Sequence, residues 1–308
     1  MLDIFYTVLP IFLIAFLGSV IKRNWLKSDE FWRGLEKLSF YLVFPMVLFE
    51  NILKLSICPS EITKLIISLM ISVLIIAAIL MLHRYKTGYD KIQFSSVFQG
   101  CVRYNNYILF GLGTALLGDE GLAIISIIAP YMVVFVNISA IIMFNFYTMN
   151  SHINKRQQLL VIIRSIITNP MIVSSLIAVL FLYFEIEINI GIKKTITHIT
   201  NSALTISMMV IGASLKFKIN KKYYKQVICT SLTKLCLLPI ITYITMKLMS
   251  VNGIVNLVGL LFSCMPCSSS AVILSRQLNG DVETMSSTIT FSTIFSIFSL
   301  SILLYLFR

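Results

Sequence analysis

Two stretches of this chain place polar and helix-breaking residues inside otherwise apolar runs. The first reads Gly100-Cys-Val-Arg-Tyr-Asn-Asn-Tyr-Ile-Leu-Phe-Gly-Leu-Gly113, and the second reads Phe262-Ser-Cys-Met-Pro-Cys-Ser-Ser-Ser-Ala271. Asn105 and Asn106 on one side, with Ser268, Ser269 and Ser270 on the other, are amide and hydroxyl donors that also cap helices. Gly111, Gly113 and Pro266 are the residues expected to break them. A helix broken at membrane depth leaves backbone groups without partners, which is tolerated only where protein or water buries them. Both breaks should therefore line a cavity. The second half of each run would then begin near the midplane, and a helix N-terminus carries roughly +0.5 charge with free N–H donors. Two of them would attract an anion. Ser and Asn can instead simply tie helices together, but five such residues at two matched breaks favour the cavity.

The charged residues narrow the chemistry further. Arg103 lies nine residues into its apolar run, about 14 Å at 1.5 Å per residue and so near the centre of a ~30 Å core. A cation there costs at least ~2.5 kcal/mol on insertion scales. It either caps the carbonyl end of the first half-helix, pairs with Glu50, or attracts an anionic substrate, and the sequence leaves these open. Lys234, eight residues into a later run, is close enough to the inner surface to snorkel. Glu50 is the deepest carboxylate. It reads either as a solvated residue at a helix end or as the one plausible proton site. The lack of other acidic residues in mid-run argues against a cation antiporter. Six cysteines with three dispersed histidines make no zinc set, and Cys264/Cys267 reads as packing. No metal or cofactor is expected. An intramembrane enzyme would need a paired carboxylate, or a serine with a base in reach, and neither is found in the runs.

The elements that must position these residues follow from composition. The 308 residues are 57% hydrophobic and 12% charged, with mean hydropathy +0.90, against roughly 25% charged in a soluble domain. This excludes a cytosolic enzyme, a nucleic-acid-binding domain and a disordered chain; the partner is the lipid bilayer. Apolar runs cover 4–21, 35–53, 63–82, 94–117, 122–147, 159–184, 195–215, 226–248, 254–277 and 284–307, which makes ten. The first has Asp3 before it and Lys22, Arg23 and Lys27 after it, the reverse of a cleaved signal peptide, so it is expected to be retained. The net charge of +12 sits in the loops. With the N-terminus outside, 17 of the 25 basic residues fall on the inner side, against Lys54, Lys64, Lys193, Lys194, Lys247 and Arg308 outside. Both termini should be extracellular, in the plasma membrane.

Ten runs with a basic inner loop at the midpoint divide into 1–147 and 159–308 around a cytoplasmic loop at 148–158. Five runs per half force the second half to enter the membrane inverted, the usual secondary-transporter architecture. The interrupted runs are the fourth and the ninth, which correspond. The expected fold is an all-α polytopic membrane protein of ten helices in a 5+5 inverted repeat.

Leu9-Pro-Ile-Phe-Leu-Ile-Ala-Phe-Leu-Gly18, Tyr41-Leu-Val-Phe-Pro-Met-Val-Leu-Phe49, Arg103-Tyr-Asn-Asn-Tyr-Ile108, Gly118-Asp-Glu-Gly121, Asn169-Pro170, Ile211-Gly-Ala-Ser-Leu215, Met265-Pro266 and Arg276-Gln-Leu-Asn-Gly-Asp281 occur in this order along the chain. The ordered set resembles the auxin efflux carrier family in its bacterial branch, which includes malate or malonate permeases. The resemblance implies crossed fourth and ninth helices, a homodimer, a scaffold of helices one, two, six and seven, and a transport domain of helices three to five and eight to ten. It implies that Asn105 meets the substrate carboxylate and that Asn137, on helix five, faces the site. The family's Gly-x-Pro at the fourth-helix crossing is here Gly111-Leu112-Gly113, and Ala271 stands where the plant branch has a proline. The expected function is a secondary transporter moving a small organic anion by alternating access, with a gated anion channel on the same frame as the alternative.

Overall fold

A run that is apolar on all sides has only its own backbone to satisfy its peptide groups, and the helix does so without a neighbour. The computed structural model describes residues 2–54, 59–88, 90–147, 163, 167–215, 221–278 and 280–307, and no strand occurs among them. The helices are α1 Leu2–Asn24, α2 Asp29–Leu38, α3 Phe44–Ile52, α4 Pro59–Thr87, α5 Lys91–Val102, α6 Asn106–Tyr147, α7 Pro170–Tyr183, α8 Ile190–Asn201, α9 Ala203–Ser214, α10 Tyr224–Leu232, α11 Leu238–Leu248, α12 Gly253–Ser263, α13 Ala271–Gln277 and α14 Val282–Phe307. Among the described residues six stretches are long and apolar enough to cross a membrane, of which Lys91–Phe144 is the longest; α7 and α12 are shorter apolar helices. Leu13, Phe16, Leu74, Leu176 and Leu180 point outwards, as lipid-facing side chains do. The expected inner loop at 148–158 lies outside the described residues.

Two π turns, Ser39–Val43 and Thr233–Leu237, join α2 to α3 and α10 to α11. Each is followed by a proline at the start of the next helix, Pro45 and Pro239. A proline ring clashes with the carbonyl four residues back, and a wider turn relieves it. Gly118 divides α6: with φ 63 and ψ −161 it takes a conformation closed to other residues, and the chain changes direction there.

Packing joins the first apolar run to the seventh, through α1 and α9, and the second to the sixth, through α3 and α7. The third and eighth pack on each other through α4 and α11, while α5 lies against α14 and α6 against α12. The α1–α9 contact is backbone on backbone at Gly18 and Gly212. Ser174 Oγ donates to the Pro45 carbonyl, joining α7 to α3.

Candidate substrate site at the helix crossing

The fourth run is interrupted at Arg103, Tyr104 and Asn105, between α5 and α6, and the ninth at 264–270, between α12 and α13. Local chemistry accounts for both. Asn105 Oδ1 accepts from the Tyr107 and Ile108 backbone N–H groups at 3.0 and 3.3 Å, so the asparagine caps α6. Pro266 disfavours helix at the residue before it, and α12 ends at Ser263.

The two breaks touch. The Asn105 backbone N–H donates to the Pro266 carbonyl at 3.0 Å. Arg103 Nη2 donates to Ser270 Oγ at 2.9 Å, and Ser270 shares a 2.9 Å hydrogen bond with Ser268. The Cys267 backbone N–H reaches Ser292 Oγ on α14 at 3.2 Å. Gln99, wholly buried, donates through Nε2 to the Ala271 carbonyl at 2.8 Å and accepts from Ser275 Oγ at 3.3 Å, tying the end of α5 to α13. Tyr104 anchors the first break to α6 through the Ala129 carbonyl at 3.1 Å and packs on Phe262 with ring centroids 4.4 Å apart. Gln99 and Tyr104 were missed by the sequence reading. The available signal was a glutamine inside an apolar run, where a polar side chain must find a partner.

Three polar atoms at the crossing are buried without a hydrogen-bond partner: Asn105 Nδ2, Asn106 Oδ1 and Ser269 Oγ. Asn105 itself is 1% exposed. A buried unsatisfied amide costs about 1–3 kcal/mol, so a protein keeps one where a ligand completes it.

The structure thus brings Arg103, Asn105, Asn106 and Ser268 to Ser270 into one place. It does not bring the rest there. Gly111 and Gly113 lie within the helical part of α6, downstream of the break. They are packing points, since a Cβ would overlap Leu204 at Gly111 and Ile125 at Gly113. The asparagine cap, rather than glycine flexibility, sets where the helix is interrupted. Asn137 is half-buried on α6, and no hydrogen bond joins it to either break among the described residues.

Arg103 does not pair with Glu50. That carboxylate accepts from Thr197 at 2.9 Å and Thr200 at 2.6 Å and lies 3.3 Å from Lys54. Glu50 is also not a solvated helix end: it is 9% exposed, because α8 covers it. It lines a cavity of about 240 Å³ with Asn51, Tyr107, Thr114, Asn201 and Ser207, between α3, α6, α8 and α9. Tyr107, which lines it, follows the Asn105–Asn106 pair directly in the chain. Lys234 does not snorkel: it is 1% exposed. The π turn that holds it packs against α5 and α14, on the inside of the bundle.

Long apolar helices around a crossing of two interrupted segments, with unpartnered donors where they meet, define a multi-pass α-helical membrane protein of the transport class. The model of a family described as membrane transport protein, the auxin efflux carrier family, matches residues 3–304, and the chain belongs to that family. It is a family of transporters, not of enzymes. No curated protein matches the chain.

Proposed function

We propose that this protein is a secondary transporter that carries a small organic anion, a carboxylate, across the plasma membrane by alternating access. The observation that carries the reading is the Asn105 amide: its oxygen is spent on capping α6, and its nitrogen is buried with no partner. A carboxylate oxygen accepts from such a donor, and the N-terminus of α6 adds favourable charge. Asn106, Ser268, Ser269, Ser270 and Arg103 complete the floor of the site, and Asn137 faces it when the transport domain moves.

The proposed architecture is ten helices in a 5+5 inverted repeat, 1–147 and 159–308. Exchange of packing partners supports it: first run with seventh and second with sixth are the same pair under that symmetry. Helices one, two, six and seven form the scaffold of a homodimer. The cavity at Glu50 lies between scaffold and transport domain, and Glu50 is the carboxylate through which a proton would be exchanged. The substrate preferences are those of a bacterial branch of the family.

Thermal shift of the purified protein with acetate, lactate, malonate, succinate and citrate, each beside its methyl ester, tests the reading. A ligand bound by the folded state at 100 times its Kd adds about 2.7 kcal/mol of stability. At least one carboxylate should raise the melting temperature and its ester should not. Equal shifts with acid and ester, or none with all five acids, overturn the anion reading.

Topology provides a second expected outcome. A cysteine placed at Lys221 should be labelled by an impermeant reagent only after cells are permeabilised, while tags at residues 1 and 308 should be accessible on intact cells. The warrant is the concentration of 17 basic residues on one side. Termini protected in intact cells would reverse the assignment.

A further inference from the structure

Lys234 is among the largest wholly buried side chains of the protein. Among the described residues no hydrogen bond or salt bridge reaches it. The π turn that carries it packs against α5. In the last turn of α5 the Cys101 thiol donates to the Thr230 carbonyl, one helical turn before the lysine, at 3.7 Å. The lysine therefore stands beside the carbonyl end of α5.

At the crossing two helices end, α5 and α12, and two begin, α6 and α13. Carbonyl ends carry roughly −0.5 charge and amide ends roughly +0.5, so four meeting ends have little net preference for either sign of ligand. The seven residues of α13 make its contribution the weakest of the four. Left to the helix ends alone, the crossing would not favour an anion. An unpartnered buried ammonium is costly, and an uncharged side chain of similar length would fill the same space without that cost.

We propose that Lys234 sets the sign of the site: its charge offsets the carbonyl end of α5, leaving the α6 amide end, Asn105 and Arg103 to present a net positive field to the substrate. It acts as a positioning charge and does not touch the ligand. The inference rests on the crossing being the substrate site, and it adds which residue makes that site select anions.

The test reads the field directly. A cysteine at Ser268, which is half-buried in the second break, is reacted with two methanethiosulfonates of similar size, one bearing a sulfonate and one a trimethylammonium group. Rates are corrected for the parent protein, because Cys229 and Cys236 are exposed. Relative to a free thiol, the sulfonate reagent should react faster than the ammonium reagent. Lys234→Gln should lower that ratio by about tenfold, the order expected for one unit charge acting over several ångströms in a partly polar interior. Lys234→Arg should restore it. An unchanged ratio in a Lys234→Gln protein of native melting temperature overturns the proposal. So does a ratio favouring the ammonium reagent with Lys234 present, which decides the matter even where the variant fails to fold. Failure of all five carboxylates to stabilise the unaltered protein would overturn the anion-transport reading instead, and the reagent ratio distinguishes the two.

Discussion

Asn105→Asp should abolish carboxylate binding while leaving the helix beneath it intact. The substitution keeps an oxygen where Oδ1 accepts from Tyr107 and Ile108, so α6 stays capped. What it removes is the Nδ2 donor, the buried atom without a partner. A hydrogen bond to a charged group is worth about 1.5–3 kcal/mol. A like charge ~4 Å from the ligand adds up to about 4 kcal/mol of repulsion at an effective dielectric of 20. Together these should weaken binding by at least about a hundredfold, since each 1.4 kcal/mol is tenfold. Asn105→Ala is the poorer experiment, because loss of the cap alone costs about 0.5–2 kcal/mol and mixes folding with binding. The measurement is carboxylate-induced thermal shift for the aspartate variant beside its ligand-free melting temperature. Native stability with native affinity would remove Asn105 from the site.

Gly212→Ala should prevent α1 and α9 from docking. A Cβ at Gly212 would overlap the carbonyl oxygen of Ala15 and stand 2.5 Å from its carbonyl carbon, and a Cβ at Gly18 would stand 2.6 Å from the Met209 Cα. These obstacles are backbone, so no rotamer change relieves them; α1 and α9 must move apart. In a bilayer the helices gain nothing from expelling water between them, and close contact of small residues is much of what joins them. The expected result is loss of the monodisperse protein on size exclusion in detergent, a far larger effect than the 1–3 kcal/mol of ordinary overpacking. Gly34→Ala is the matched control: nothing lies within 4 Å of its Cβ position on α2. There alanine should stabilise slightly, by about 0.5–1 kcal/mol. A Gly212→Ala protein that melts like the unaltered one would mean that α1 and α9 are not held by this contact.

Arg103 illustrates how a single residue divides between what a chain announces and what a fold decides. Its depth in an apolar run made a partner necessary on electrostatic grounds, but Ser270, 167 residues away, was not among the partners considered. Of the alternatives the sequence leaves open, the ion pair with Glu50 is excluded because Lys54, Thr197 and Thr200 already surround that carboxylate. Lys234 was mistaken for the opposite reason: counting residues from a helix end measures depth but not azimuth, and the π turn rotates the side chain into the bundle.

By itself the sequence determined the helical membrane class, the two interrupted runs and the donors at them. Those depend on apolar composition and on a proline and an asparagine cap acting within a few residues of themselves. The tertiary structure alone decided the role of Gly111 and Gly113, which are packing points whose missing side chains make room for Leu204 and Ile125. It alone paired Asn105 with Pro266 and Gln99 with Ala271, contacts that span most of the chain. Local rules govern where a helix starts and stops; which ends then meet is settled by packing between segments far apart in sequence, and no local pattern encodes it.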